Sequence, residues 1–453
     1  MDYTIVKPPQ VKDASSDDGA HAPRIIPRAE HNISRGNIAS SAVKVLYTLK
    51  DAGFQAFLVG GGVRDMLLGR EPKDFDVATD AHPEQVKELF RGCRLIGRRF
   101  RLAHVRVGRD IIEVATFRAT GDDLEGDIVK SEEGRILRDN VYGTIEQDAW
   151  RRDFTVNALY YNIRDFSVVD YTGGMEDLKA GVMRLIGDPE RRYNEDPVRM
   201  LRAVRFAAKL GFRIHPSSET PIFKLAEHLG DIPPARLFEE VLKLFLGGSA
   251  VECYAMLRRY GLFKHLFPDA DAALAKEEEG FPHVFVGRAL ANTDDRIMQD
   301  KPVTPAFLFA ALLWEPLRAL AAQYQADGAD EIQALMDAST EVLRRQAASV
   351  AIPKRFTLTM REIWFMQPRL TRLQGRRPAK LLSHPRFRAA YDFLTLRAEA
   401  GEPVADIAEW WTRFQTLPEN EKETAMRGLG GAPKKRRRRR KKPKAAAGEG
   451  TAD

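Results

Sequence analysis

Asp74 and Asp76 stand one residue apart in Asp74-Phe75-Asp76-Val77-Ala78-Thr79, where polar and apolar side chains alternate as in a strand. Residues i and i+2 of a strand project from one face, so both carboxylates converge on one point. Two like charges held together are costly unless a cation neutralises them. Two Mg²⁺ ions, or Mn²⁺ in their place, would do so while activating an attacking hydroxyl and steadying a leaving pyrophosphate. An isolated pair of this kind is more often an acidic turn. What precedes it changes the balance. Phe57-Leu58-Val59-Gly60-Gly61-Gly62-Val63-Arg64-Asp65 runs from an apolar strand through glycines into a helical pattern. Glycines at such a junction let backbone N–H groups approach phosphate oxygens, and Arg64 in the first helical turn adds a cation. The spacing fits neither the P-loop nor the dinucleotide fingerprint.

Three further groups could join this chemistry. Glu113 is an acid in the otherwise apolar strand Ile111–Ala115; it either completes the metal site or lies as a charge at a sheet edge. Arg151-Arg152-Asp153 offers adjacent guanidiniums for triphosphate oxygens and a carboxylate for a ribose hydroxyl, although a surface ion-pair cluster is a serious rival. Asp196 followed by Pro197 marks a helix start. Asp196, Arg199 and Arg202 then recur along one helical face, an acceptor beside donors, as reading a base edge requires. Taken alone, helix-end electrostatics with solvated arginines would explain that pattern. His104 reads as packed within its strand, no His or Cys pair has zinc spacing, and no Ser-centred nucleophile motif occurs.

These residues need a scaffold. A chain of 453 residues is too long for one core, so roughly two to four domains are expected. Strand signals fall at Gln55–Val59, Asp74–Thr79, Leu102–Val107 and Ile111–Phe117, the last two joined by the hairpin turn Gly108-Arg109-Asp110. Ser34 can cap a helix that presents Ile38, Ala42, Leu46 and Leu49 on one face. Arg118–Asn140 reads as a mobile loop, and strand and turn signals return from Tyr142 to about Ile186. From Asp196 to about Leu417 the pattern is helical, as in Arg236–Leu246, Val251–Tyr260, Ala306–Trp314 and Glu341–Ala351. The fold class is therefore α+β: a head with a mixed β-sheet and helices, followed by an all-helical region.

Charge and cysteine content narrow the class. Ten basic residues (Lys434, Lys435, Arg436, Arg437, Arg438, Arg439, Arg440, Lys441, Lys442 and Lys444) against Glu449 and Asp453 give the last twenty residues +8. The total of +7 leaves the rest of the chain at −1, so the basic character belongs to an appendage. Such a segment is too charged to pack, reads as disordered, and suits RNA phosphates through counterion release. A solubility tail is the plainer alternative. Two cysteines, Cys93 and Cys253, make no disulfide framework, which fits a reducing cytosol. Nothing near Met1 resembles a signal peptide, and Ala306–Trp314 is far short of the roughly 20 residues a membrane span needs.

In combination these motifs resemble the class II nucleotidyltransferases, the group that holds bacterial poly(A) polymerases and tRNA CCA-adding enzymes. The family's elements occur in order: the glycine turn as Gly60–Asp65, the metal aspartates as Asp74 and Asp76, the Arg-Arg-Asp element as Arg151–Asp153, and the Glu-Asp-x-x-Arg helix as Glu195–Arg199. The resemblance implies magnesium on Asp74 and Asp76, Asp153 at the ribose and in reach of catalysis, and Gly61, Arg64 and Arg152 on the triphosphate. It also implies Asp196, Arg199, Arg202 and Arg205 facing the incoming nucleotide, with Glu113 or Asp153 as third carboxylate. The expected layout is an extended arm over 1–34, a nucleotidyltransferase head over 35–187, a helical neck over 188–270, a helical RNA-binding body and tail over 271–425, and a basic tail over 426–453. Arg24–Ser34, Arg98–Val105 with Ile111–Arg118, Ile232–Arg236 and the basic C-terminus look like bacterial poly(A) polymerase more than a CCA-adding enzyme. That implies transfer of AMP from ATP to the 3′ ends of mRNA and small RNA in the cytoplasm, with no membrane and with RNA-decay machinery as partner. The alternatives are CCA addition to tRNA and, from another class, a non-catalytic RNA-binding adaptor.

Overall fold

Short runs of apolar residues punctuated by glycines build the sheet of the computed structural model. The structure describes residues 22–97, 101–119, 129–130, 136–138, 141–275, 284–373 and 376–428. The expected basic tail, apart from residues 426–428 at the end of a helix, and most of the expected 118–140 loop lie outside these residues. The chain divides into two compact units, 1–268 and 269–453.

The first unit is organised by strands β1 (Arg24–Ile26), β2 (Ala56–Val59), β3 (Asp76–Thr79), β4 (Cys93–Ile96), β5 (Leu102–Val107) and β6 (Asp110–Thr116). A separate small hairpin, β7 (Val129–Lys130) and β8 (Ile136–Arg138), follows, and then β9 (Leu159–Asn162) and β10 (Val168–Asp170). The main sheet has the order β1-β10-β9-β2-β3-β6-β5-β4, and only the β3–β6 pair is parallel. All four residues of β2 are buried, as an uninterrupted apolar run in a central strand requires. Phe57, Val59, Ala78, Phe117, Ala149, Tyr160 and Val169 form a cluster on one side of it.

Helix α1 (Ser40–Asp51) buries Ala42, Val45, Leu46 and Leu49. Ala42, Leu46 and Leu49 share the expected face, but Ile38 precedes the helix and the start is not at Ser34. That side chain accepts from the Gly36 N–H and caps a single 3₁₀ turn, Arg35–Asn37, before α1 begins at Ser40. The described part of the arm is built into the head. Arg24–Ile26 pairs with β10 at the sheet edge, and Ile26 and Ile33 are buried.

Helices α2 (Gly61–Leu67), α3 (Pro83–Leu89), α4 (Ile145–Arg151) and α5 (Gly174–Ala180) complete the head. Short strands β11 (Val182–Met183) and β12 (Arg213–Ile214) pair in parallel and enclose α6 (Pro189–Glu195) and α7 (Val198–Leu210) in sequence. Helix α7 buries Val198, Met200, Leu201, Val204 and Ala207, which leaves its arginines on the other face. Helices α8 (Pro216–Leu225), α9 (Pro234–Phe245) and α10 (Ala250–Arg259) follow.

The described part of the second unit is helical, around a core that includes Met366, Leu370, Phe387, Leu394, Trp411 and Phe414. Trp364 and Trp411 satisfy their buried indole N–H groups on the Ala310 and Leu370 carbonyls, at 3.1 and 2.9 Å. The helix expected from Glu341 spans Glu331–Ser349, because Asp330 caps it ten residues earlier by accepting from Ile332 N–H. Among the described residues no single helix is long and apolar enough to cross a membrane. The bent pair Pro305–Leu312 and Trp314–Ala326 meets length and composition criteria together, yet Leu308–Leu313 are buried inside the unit.

Candidate active site

Gly60 is the hinge of the site. It takes φ +75°, ψ −137° between β2 and α2, a conformation that a side chain strains. A Cβ there would lie 3.6 Å from Arg152 Nη1 and 3.9 Å from Asp76 Oδ2, so glycine, guanidinium and carboxylate meet at one point. Gly62 answers a different need. Its added Cβ would stand 3.1 Å from the Asp74 carbonyl oxygen, so the missing side chain lets α2 lie against the loop that carries Asp74. The first intrahelical bond runs from Arg64 N–H to Gly60 C=O, which leaves the amides of Gly61, Gly62 and Val63 without an intrahelical acceptor.

Asp76 opens β3 and lies directly opposite Glu113 across the parallel β3–β6 pair, so the two side chains share a face. Asp74 stands before the strand and not within it. Strand alternation therefore does not place Asp74; the packing of α2 on the Asp74–Phe75 backbone holds it beside the strand. Asp76 is open to solvent along one side, but enough protein surrounds its carboxyl to hinder hydration. That burial, then the Glu113 charge, pushes it up to about 6; Arg152 opposes the rise and Asp74 adds to it. Carboxylates crowded in this way are oxygen donors suited to a hard cation. Among the described residues no group of three or more His, Cys, Asp or Glu side chains is arranged to hold a metal ion.

Arg152 follows α4 and is aimed by the head core. Its Nε and Nη2 each lie 3.2 Å from Asp148 Oδ2, and Nε lies 2.9 Å from the Tyr160 hydroxyl. Tyr160 donates in turn to Asp148 Oδ2 at 2.7 Å. Arg64 is placed differently from the solvent-facing cation its position suggests. It is 2% exposed and donates to Asp65 Oδ1 at 2.9 and 2.7 Å and to Asn157 Oδ1 at 2.6 Å. Its guanidinium thus binds α2 to the segment after the Arg-Arg-Asp element.

The residues expected to read a nucleotide pack against one another and against neighbouring side chains. Asp153 Oδ2 accepts from Arg202 Nε and Nη2 at 2.8 and 2.5 Å, and Oδ1 accepts from Phe154 N–H and Asn157 Nδ2. Burial pushes the Asp153 carboxyl up, but Arg202 and these donors outweigh it and hold it below the ordinary carboxylate range. Asp196 caps α7 through Val198 N–H and accepts from Arg236 Nη2 at 2.7 Å. Arg199 donates to Glu195 Oε2 at 2.9 Å and to the Arg192 carbonyl at 2.6 Å. Arg205 lies 4.3 Å from the centre of the Phe206 ring; burial, then Arg202, holds its pKa below the usual arginine value.

Two residues that the sequence did not mark complete the arrangement. Arg192 on α6 donates through Nη2 to the carbonyls of Arg151 and Arg152, at 2.7 and 2.6 Å, and so clamps the turn that orients Arg152. Burial, then repulsion from Arg199, pushes Arg192 down to about 10 against the pull of Glu195. Arg236, from α9, is the partner of Asp196. The ten basic residues from Lys434 to Lys444 lie outside the described residues, and the Arg151 carbonyl accepts from Arg192.

A glycine hinge against an acidic strand on a mixed sheet, followed by helices, defines the nucleotidyltransferase class. The crystal structure of the Bacillus stearothermophilus CCA-adding enzyme with CTP is similar at a TM-score of 0.57 and 25% identity, covering 87% of this chain and 88% of that one. Three family models match: the poly A polymerase head domain over residues 56–184, the probable RNA and SrmB-binding site of polymerase A over 211–274, and the polymerase A arginine-rich C-terminus over 327–444. Poly(A) polymerase I of Salmonella typhi is 52% identical across 90% of this chain and 89% of its own length. That of Escherichia coli O6:H1 is 53% identical across 88% and 87%. The chain belongs to the poly(A) polymerase I family.

Proposed function

We propose that this chain transfers AMP from ATP to RNA 3′ ends without a template and releases pyrophosphate. The observation that carries the reading is the meeting of Asp76, Arg152 and Gly60 at one point, with Glu113 directly across from Asp76. The RNA 3′-hydroxyl oxygen forms the new bond to the α-phosphorus as the bond to the pyrophosphate oxygen breaks. Asp74 and Asp76 are the residues to hold Mg²⁺, which when bound supplies charge neutralisation for the hydroxyl and the pyrophosphate. Glu113 is the third carboxylate of this reading, since Asp153 is already engaged by Arg202.

Arg152 and the amides of Gly61 and Gly62 take the triphosphate, as fixed donors aimed at phosphate oxygens. Arg64 supports them by fixing α2. Asp153 with Arg202 serves the ribose side, and Asp196, Arg199 and Arg205 form the base side, with Arg236 holding Asp196. The partners in this reading are ATP, RNA 3′ ends of mRNA and small RNA, and the RNA-decay machinery, in the cytoplasm. The basic tail adds affinity for RNA phosphates.

Asp74→Ala and Asp76→Ala are the test. Each should nearly abolish AMP addition while RNA binding, followed by fluorescence anisotropy, stays close to that of the unaltered chain. Near-normal addition by both variants would remove the metal assignment.

A further inference from the structure

The sheet that carries Glu113 continues past it as a regular lattice that the nucleotide reading leaves unused. The register sets Asp76, Glu113, His104 and Arg94 opposite one another on β3, β6, β5 and β4. Directly opposed residues share a face, so these four form one row. Alternation puts Ile96 and Leu102 in the row on one side and Arg106 and Ile111 in the row on the other. The opposite face of these strands is core, with Ala103, Val105, Ile112 and Val114 buried. The lattice face is open: Ile111 is 59% exposed, Ile96 36%, and Arg94 and Arg106 are exposed.

The row has a chemical direction. At one end are the carboxylates of Asp76 and Glu113. Next comes His104, whose Nε2 is 3.2 Å from Glu113 Oε1. Beyond His104 in the row stands Arg94, and beside His104 on the same strand is Arg106; neither arginine has a carboxylate within 4.0 Å among the described residues, and Arg106 donates to the Gly108 carbonyl at 3.2 Å. Strands lie about 4.8 Å apart, so three strand steps put Arg94 about 14 Å from Asp76. An RNA 3′ end has the complementary order, ribose hydroxyls at the terminus and phosphates behind it. An acidic peptide does not, because its carboxylates would meet those of Asp76 and Glu113. Open sheet faces lined with cations are a recurrent platform for single-stranded nucleic acid, most often with aromatic side chains under the bases where this face has Ile96 and Ile111.

We infer that this face is the lane of the acceptor RNA, with Arg94 and Arg106 on phosphates behind the 3′ terminus and Ile111 and Ile96 beneath its bases. The inference rests on the proposed reaction for the direction of the RNA, and on the register and exposure for its place.

The test uses the full chain, a 5′-labelled single-stranded oligoribonucleotide, and the variant Arg94→Gln with Arg106→Gln. Binding without ATP or metal should lose about 1.4 from the slope of log K against log salt, about 0.7 for each phosphate contact. In the reaction, KM for RNA should rise about tenfold while KM for ATP stays within about twofold. The paired variant Arg94→Lys with Arg106→Lys keeps both charges and should restore most of the slope, which separates lost contacts from lost folding. An unchanged slope and unchanged KM for RNA in the glutamine variant would overturn the lane. If the unaltered chain adds no AMP but the slope still falls, the lane stands and the proposed reaction is what fails.

Discussion

Replacing Asp148 with alanine removes one carboxylate and strands three donors. Asp148 is 7% exposed and accepts from Arg152, from the Tyr160 hydroxyl at 2.7 Å and from the Arg118 N–H at 3.3 Å. Breaking a buried charge pair by deleting one partner costs about 3–5 kcal/mol. Arg152 retains a quarter of its side-chain exposure, so water relieves part of the loss and about 3 kcal/mol is the expected cost. For a unit of this size that lowers the unfolding midpoint by about 6–12 °C, at about 2–4 °C per kcal/mol. Tyr160→Phe should cost only about 1–1.5 kcal/mol, since Asp148 keeps Arg152. The two losses share a bond, so the double variant should fall short of their sum by at least about 0.5 kcal/mol. Arg152 would also lose its aim at the Gly60 hinge, and KM for ATP should rise more than KM for RNA. Thermal unfolding followed by circular dichroism, together with steady-state kinetics, reads both effects. A midpoint within about 2 °C of the unaltered chain and an unchanged KM for ATP would refute the aiming role.

Asp76→Asn bears on the carboxylate cluster through pH. The Asp76 carboxyl sits at about 6 in the metal-free fold, above its ordinary value near 3.9. A raised folded pKa contributes stability that is full below the unfolded value and lost as pH rises through about 6. In EDTA the variant should therefore gain on the unaltered chain between pH 4 and 7, by urea unfolding, and saturating Mg²⁺ should narrow the gap; parallel pH curves would count against it. Deleting Lys434–Lys444 should flatten the salt dependence of RNA binding by about 0.7 for each cation engaged, and an identical slope would leave these residues no role at phosphates.

The site was readable wherever one local pattern carried it. Gly60 before a helix and Asp76 at a strand start are positions whose conformation and neighbours follow from residues a few places away. The Gly108 hairpin was legible for the same reason, with its glycine at φ +64° between strands at 102–107 and 110–116. Asp74 was misjudged because an alternating pattern does not reveal where strand pairing begins. The helix over Glu331–Ser349 was cut short because its first ten residues, with Ile332 and Met336 exposed, lack a clear apolar stripe. Arg192 and Arg236 escaped notice for another reason. Their partners are the carbonyls of Arg151 and Arg152, about forty positions back, and the carboxylate of Asp196, and nothing in an arginine's neighbours announces a long-range acceptor. Arg64 shows the converse: its place in the motif suggested phosphate, and nothing in that local pattern reveals that its guanidinium is buried against Asn157.

The central claim, adenylate addition without a template, meets its most direct test in one assay. The purified chain and Mg²⁺ are incubated with a labelled RNA of arbitrary sequence, and each nucleoside triphosphate is supplied alone. A long ladder with ATP, and none of comparable length with CTP, GTP or UTP, is the expected result. Short products of fixed length that require CTP and ATP together on tRNA, or no extension under any condition, would contradict it.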